Sequence, residues 1–592
     1  MAMILGIDLG TTNSAVSIIQ DGRPIVLKDE HGEGILPSVV GLDSEGRLLV
    51  GHPARNQAVL APERTIASIK RKMGHDTHVS LGEKQYTPQE ISAIILRTLK
   101  ERAARALGSE VRQVVITVPA FFSERQREVT REAGELAGLE VVRIINEPTA
   151  ATLTYEPPTT CRERLLVYDL GGGTFDVSIV QIEQGVVEVL ASHGDTHLGG
   201  DDFDHLLLDY LCDNFEERHG IDLRIIPVAK ARLLRAAEDA KKRLSSEVFA
   251  RVTEEFIAEK GGAPLHLDLE INRHDYEDLI RPLLDKTIHC VDGALADAKL
   301  VASQIDKVIL VGGSSRTPMV HDLLRQQLRQ EPHLEIDPDL CVAMGAAVQG
   351  AMIAGVEVGP VLVDITPHTL GIRAVYERQG LELPYYFSPL IFRNTPLPAV
   401  RSELYYTSFP GQPAVRIEVF QGESDDVRNN QPVGEFLLEQ LTNTNDPGEI
   451  LVRFELNLDG LLTVTAVERA TSKEKNLTID NAIARFRSRN RDEAHARLAA
   501  IFNEQAFPGT IVPQQQVSAR DVEESADEAE FAEEFELMVK ARRLASGASH
   551  EDVEEINRLT EQLNEALRAG RANDVAAIRA KLEDIVFYLE DA

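Results

Sequence analysis

The stretch LLVYDLGGGTFDVSIV, residues 165–180, decides how the rest of the chain is read. Leu165, Leu166, Val167 and Tyr168 form an apolar run of the kind found in a buried strand. The run ends at Asp169 and Leu170 and meets three glycines, Gly171, Gly172 and Gly173. Thr174, Phe175 and Asp176 then lead into a second apolar run, residues 177–180. Strand, tight glycine loop and strand predict a β-hairpin. Glycines carry no Cβ, so backbone N–H groups can converge on an anion, which is how a phosphate is cradled. Asp169 and Asp176 fall at the mouths of the two strands, where carboxylates can hold a cation, and Thr174 offers a hydroxyl beside them. A nucleoside triphosphate with a metal is the natural guest. A Walker loop or a dinucleotide fingerprint would open a helix after the glycines, and here a strand follows. The bland alternative for this stretch alone is a glycine turn that closes a hairpin.

The start of the chain repeats the device. Residues 4–19 read ILGIDLGTTNSAVSII: an apolar strand, Asp8-Leu9-Gly10, the hydroxyl residues Thr11 and Thr12, and another apolar strand. Two copies about 160 residues apart suggest an internal duplication. Two similar halves facing each other place the hairpins on opposite walls of one cleft, with Asp8 and Asp169 converging. Two carboxylates about 4 Å apart repel by about 4 kcal/mol at an effective dielectric near 20. Such a pair persists most easily beside a cation. Mg²⁺ gives up its waters reluctantly, so these aspartates are expected to hold the metal's waters.

With 592 residues the chain is too long for a single core, and two to four domains are expected. The formal net charge of −33 disfavours a generic nucleic-acid or anionic-membrane binder. Cys161, Cys212, Cys290 and Cys341 lie far apart with no CxxC pair, which reads as free thiols in a reducing compartment. There is no apolar run of about 18 residues and no basic-then-apolar leader, so a cytoplasmic protein is expected.

Along the chain, ASIKRKM (residues 67–73) puts Lys70 in a basic patch, whose competing reading is a solvated helix face. Residues 91–107 have helical apolar spacing, QVVITVP (113–119) reads as a strand, and Ser123 starts a helix running to Leu136. Residues 141–145 form another strand, and NEPTAATLTY (146–155) opens a helix. Alternating strands and helices imply an α/β domain with parallel pairing. In the second half, GDTHLGGDDFD (194–204) holds a glycine turn beside acidic residues, residues 229–246 form a charged helix, and VILVGGSSRTP (308–318) reads as strand, Gly-Gly turn and helix start. A nucleotide's ribose or base edge fits against such a turn. In DPDLCVAMGAAVQ (337–349) Pro338 lies near a helix start, and the small residues permit close packing, the bland explanation of Gly345. From Gly355 the texture changes to a short apolar linker with Val361-Leu362-Val363, and an apolar linker is expected to dock. Alternating segments from 370 to 479 read as an antiparallel β-sandwich of about 110 residues. From about 492 the chain is acidic, amphipathic and helical, expected as a bundle packed over the sandwich.

These motifs in this order resemble the ATPase domain of the seventy-kilodalton heat-shock chaperones, the DnaK family: GIDLGTTNSAV, IKRKMG, VITVPAFFSERQR, RIINEPTAA, VYDLGGGTFDVSIV, GDTHLGGDDFD, VILVGGSSRTPMV and GAAVQG. NTPLP, VFQGE and DGLLTVTA extend the likeness more loosely, and the short stretches 73–87 and 259–263 look most like the HscC-type members. The resemblance implies a two-lobed actin-like α/β ATPase (1–354), a linker (355–366), a β-sandwich that binds peptide (367–485) and an α-helical lid (486–592). It implies ATP/ADP, Mg²⁺ and K⁺ as cofactors. Thr11, Thr12, Gly171, Gly172, Gly173 and Thr174 would contact phosphates, with Asp8, Asp169 and Asp176 organising the cations. Lys70 and Glu147 would position the attacking water, with Thr174 and Asp169 also catalytic. Gly200, Glu238, Lys241, Lys242, Ser245, Gly312, Gly313, Ser314, Arg316 and Asp339 match the nucleotide pocket. Pro119, Arg127 and the linker residues Val361, Leu362, Val363 and Asp364 match a relay between cleft and sandwich.

Ile372, Val375, Tyr405, Ser408, Val415 and Ile417 match the lining of the peptide site. Val375 and Ser408 stand where the family's arch usually has a methionine and an alanine. The implied partners are unfolded or extended polypeptides and a J-domain co-chaperone, acting on a monomer without nucleic acid or membrane. The shortened loops leave open whether an exchange factor of the usual kind acts. The function implied is that of an ATP-dependent chaperone. The alternatives are an actin-fold phosphotransferase, which has no need of a sandwich, and a slow-cycling peptide-binding module, against which the intact Thr174, Lys70 and Glu147 argue.

Overall fold

The structure, a computed structural model, describes residues 3–155, 162–333, 337–356, 358–378, 381–442, 446–471 and 473–478, and isolated residues at 494, 497, 498, 501, 502, 558, 559, 562 and 581. Cys161 and most of the expected lid lie outside the described residues. The chain divides into the units Met1–Gln505 and Ala506–Ala592, and the second is described only at its few helical positions.

The apolar run at 165–168 is the strand Glu163–Leu170, and residues 165–168 and 170 are at most 1% exposed. Such burial on both faces explains a continuous apolar run where a half-exposed strand would alternate. Leu166, Tyr168 and Leu170 enter one core and Leu165 and Val167 another, so this strand divides two cores. Burying each such aliphatic side chain contributes about 1.5–3 kcal/mol. It pairs antiparallel with Phe175–Glu183, in register Asp169↔Asp176, closing the expected hairpin. The sheet runs Lys307–Val311, Glu163–Leu170, Phe175–Glu183, Val186–Asp195, Val361–Val363.

The first copy, Ile4–Asp8 and Asn13–Gln20, sits in a sheet of the same plan, flanked by parallel Gln113–Val118 and antiparallel Arg23–Val26. The two lobes are therefore built alike. Helix Cys341–Ile353 packs on the first sheet, where a Cβ on Gly6 would lie 2.1 Å from the Ala347 amide and one on Gly345 1.7 Å from the Ala150 carbonyl. Packing alone thus accounts for Gly345. Pro338 stands in the turn before this helix, outside its first turn.

The helix read as starting at 91 begins three residues earlier, as Pro88–Leu107. Thr87 caps it by accepting the Glu90 amide while the Glu90 carboxylate accepts the Thr87 amide, a capping box the apolar periodicity does not register. Ser123 and Gln126 do the same for Glu124–Leu136.

The linker docks: Val361–Val363 adds in parallel to Val186–Asp195, in register Val186↔Val361. Beyond it lie two four-stranded antiparallel sheets, ordered Leu381–Ile391, Leu370–Arg378, Ala414–Gln421, Gln431–Glu439 and Ala399–Tyr406, Glu449–Leu456, Leu462–Glu468, Lys473–Thr478. Their facing residues form one core, as the alternation predicts.

One expectation is corrected for the residues described. Ala494, Leu498 and Ile501, on one helical face, pack into the core of the first lobe, away from the sandwich. Arg497 donates to Glu90 at 2.7 Å, and the Arg97 guanidinium lies 3.8 Å from the Phe502 ring centroid. The apolar face of this segment finds its partner on the helix Pro88–Leu107.

Candidate functional site

The two hairpins face each other across a cleft lined among others by Asp8, Thr11, Thr12, Lys70, Glu147, Asp169, Gly171, Gly172, Thr174, Gly312, Gly313 and Asp339. Their approach is close enough to dictate glycine. A Cβ on Gly172 would lie 1.8 Å from Thr12 Oγ1, and one on Gly173 2.9 Å from Thr11 Oγ1. Room between the lobes, rather than a left-handed backbone, is the reason for glycine here. Gly312 needs both, with φ 78° and a would-be Cβ 2.4 Å from the Leu170 carbonyl.

Lys70 is in no solvated helix face. It lies in the short 3₁₀ turn Ile69–Lys72, is 4% exposed, and donates to Glu147 Oε1 at 2.5 Å. Glu147 begins the short helix Glu147–Thr152, aimed from the first lobe into the cleft. Four carboxylates, Asp8, Glu147, Asp169 and Asp176, thus influence one another beside a single lysine. Burial, then the Glu147 charge, pushes Asp8 up to about 7. The same two causes raise Asp176 to about 7 and hold Asp169 well above the usual carboxylate range. Such crowding is unfavourable for the ionised groups and is relieved by a cation. Among the described residues no three His, Cys, Asp or Glu side chains stand as a ready metal-ligand set. The crowded carboxylates fit a divalent cation such as Mg²⁺, which usually keeps several of its waters.

Asp176 is placed differently from its hairpin partner. It is absent from the cleft lining, and its Oδ1 accepts the Phe121 amide at 3.0 Å. In the first hairpin Asp8 accepts the Thr117 hydroxyl at 2.9 Å.

Toward the other end, Glu238 accepts Arg55 Nη2 at 2.6 Å from across the cleft and Lys242 Nζ at 2.6 Å. Lys241 donates to the Gly200 carbonyl and to Asp204, at 3.0 and 2.8 Å. Ser245 donates to the Lys241 carbonyl. Ser314 lies against Gly200, and Arg316 donates to Asp339 at 3.0 Å. Sequence reasoning missed Arg55, Ser68 and Arg71 as cleft-closing residues. Ser68 donates to Asp201 and Arg71 to Asp202, both at 2.6 Å. The partners are more than 130 residues apart, so no local pattern could reveal them; only the acidic pair in GDTHLGGDDFD hinted at a need for cations.

The relay residues are brought together. Arg127 is buried and donates to the Ala120 carbonyl at 3.0 Å and to Asn146 Oδ1 at 2.6 Å. Asn146 in turn donates to Asp364 at 2.9 Å. Pro119 holds the turn below, its carbonyl accepting the Phe122 amide. The sandwich sits on this surface: Arg131 and Arg143 converge on Asp459 at 2.8 and 3.2 Å. Gln421 accepts the Glu124 amide, and Arg393 and Asn394 donate to Asp297 at 2.8 and 3.0 Å. Burial raises Glu124 to about 8.

The peptide-site candidates divide. Ile372 and Ile417 are buried in the sandwich core, Tyr405 shares a 2.9 Å hydrogen bond with Ser388, and Val415 is half-buried. Val375 and Ser408 are exposed. Strands Leu370–Arg378 and Ala414–Gln421 share only the pairs 370–372 with 419–421. Beyond them the ladder stops, and Val375 and Val415 border an open seam.

The Hsp70 protein family matches this chain over residues 4–80 and 75–591. Two relatives, each named "Chaperone protein DnaK", come from Thermotoga petrophila and Thermotoga sp. (strain RQ2). Each is 46% identical over 484 residues, covering 80% of this chain and 80% of the relative.

Proposed function

The chain belongs to the Hsp70 protein family and is an ATPase and an ATP-dependent chaperone, and from that premise we propose how its residues divide the work. Thr11, Thr12, Gly171, Gly172, Gly173 and Thr174 cradle the phosphates, and Gly200, Glu238, Lys241, Lys242, Ser245, Gly312, Gly313, Ser314, Arg316 and Asp339 take the nucleoside and the cleft's rim. Asp8, Asp169 and Asp176 supply the negative field that holds Mg²⁺, together with K⁺, and Lys70 and Glu147 position the attacking water. Bound Mg²⁺ neutralises charge on the phosphates; the protein's part is positioning and electrostatics.

The seam beside Val375 and Val415 takes an extended apolar polypeptide through main-chain hydrogen bonds and side-chain pockets. Docking of Val361–Val363 and of the sandwich through Arg127, Asn146 and Asp364 is the nucleotide-bound arrangement, and hydrolysis releases it. A J-domain co-chaperone that speeds hydrolysis is the expected partner, and the chain works as a monomer. The division into ATPase, linker, sandwich and lid at 354, 366 and 485 belongs to this reading.

The observation that carries the proposal is the linker strand on Val186–Asp195, since that strand's hairpin neighbour bears Asp176. Single-turnover ATP hydrolysis with and without unstructured apolar peptides tests it, with Thr174→Ala as control. Peptide-accelerated hydrolysis supports coupling; hydrolysis absent in Mg²⁺ and K⁺ sinks the catalytic assignment.

A further inference from the structure

Phe121 stands between the cleft and the sandwich and is bonded to both. Its N–H donates to Asp176 Oδ1 at 3.0 Å, and its carbonyl accepts His368 Nε2–H at 3.1 Å. His368 comes from the sandwich's first residues, just after the linker. Its ring meets the Phe121 ring edge-on, with centroids 4.6 Å apart. The His193 ring also neighbours Phe121, with centroids 6.1 Å apart, and its Nε2–H donates to Asp297 at 2.9 Å. Asp297 is the same carboxylate that receives Arg393 and Asn394 from the sandwich.

The carbonyl contact fixes the Nε2–H tautomer of His368. A second ring proton would add a charge in a half-buried place that faces the Arg127 and Arg393 guanidinium groups, with the Glu423 carboxylate opposing them and Asp297 bonded to Arg393. Burial first, and the two arginines after it, push this histidine down to about 4, although the Phe121 carbonyl favours the charged ring.

We propose that His368 is a positioning residue that links sandwich docking, and through Phe121 the Asp176 side of the cleft, to solution pH: its ring docks neutral, and protonation opposes docking. The sign follows from linkage. In the undocked sandwich the ring returns to water and titrates near 6.5. The docked state therefore lacks a proton that the undocked state takes up, and its advantage is full above 6.5 and shrinks as pH falls toward 4. From pH 7.5 to 5.5 this single site shifts the undocking equilibrium by about tenfold. Other groups on the same face push the opposite way. Burial raises Glu124 to about 8 and also raises Asp364, so acid favours docking through both. The role of His368 is therefore read as a difference between two chains that share those carboxylates.

The test is hydrogen exchange of the linker amides 361–363 and of the Leu462 amide, which donates to Glu124 across the docking face, in the full chain with excess ATP and Mg²⁺. Exchange is measured at pH 7.5 and 5.5, in native protein and in His368→Gln, whose amide keeps a donor for the Phe121 carbonyl but does not titrate. Intrinsic exchange chemistry cancels in the ratio of the two chains at each pH. The expected result is that protection in native protein, relative to His368→Gln, falls about tenfold on acidification. A ratio that stays within about twofold overturns the proposal. His368→Leu fills the same space without titrating and should behave like His368→Gln. Loss of protection in both variants at pH 7.5 would make the ring a space-filler and would also overturn it. The inference rests on the docking reading above; equal linker exchange with ATP and ADP in native protein would refute that reading itself.

Discussion

The nucleotide cleft and the docking face both bury ionisable groups, and they do so with opposite accounting. In the cleft, Asp8, Glu147, Asp169 and Asp176 share one lysine, Lys70. On the docking face Arg131 and Arg143 meet Asp459, Arg393 meets Asp297, and Arg127 stands near Glu124 and Asp364. Buried charges persist only when matched. A face whose arginines already have partners within the chain is completed by another part of the same chain. A cleft left with surplus negative charge is completed by something from solution, here a cation with a nucleotide.

The strongest way to break this contrast is at Lys70, the lysine those four carboxylates share. Lys70→Ala leaves Glu147 buried without its partner and should reduce the single-turnover hydrolysis rate on the order of 10²–10³-fold. Peptide affinity without nucleotide should not move. On the docking face, Asp459→Ala strands two arginines at once. The ATP-driven acceleration of peptide release should fall by about 5- to 150-fold, with hydrolysis without peptide changed far less, as stopped-flow peptide release would show.

A smaller effect sharpens the cleft side. Asp8 and Asp176 are raised to about 7 in the folded chain from the ordinary carboxylate value of 3.8. Their contribution to stability is full below about 4 and is lost as pH rises through 7. Without metal the melting temperature should therefore decline across that window. Mg²⁺ should raise it more at pH 7.5 than at pH 5.0; an equal gain at both values would mean these carboxylates do not feel the ion. The smallest effect lies on the seam. Val375→Ala should weaken apolar peptide binding by about fourfold, leaving the melting temperature in place because Val375 is exposed.

The contrast also explains what could be read in advance. Both hairpins, the alternating sandwich and the docking linker were legible, because each is written in short-range pattern: apolar runs broken by DLG, period-two alternation, an apolar stretch where a spacer would be polar. Lys70 was ambiguous. A basic heptapeptide looks like a solvated face until Glu147, 77 residues later, is placed beside it. Arg55 facing Glu238 and Arg131 facing Asp459 carried no local signal, since pairing across 183 and 328 residues is a product of the fold. The chain from about 492 was legible as amphipathic, but an apolar face does not say which surface will cover it.

The measurement that tests the account most directly is the rate of peptide dissociation from the full chain in ATP and in ADP, compared between native protein and Asp459→Ala. The account predicts that ATP accelerates release in the native chain by about 5- to 150-fold and that Asp459→Ala abolishes most of that difference. Release at the same rate in both nucleotides would contradict it, because cleft and seam would then be two sites that share a chain without sharing free energy.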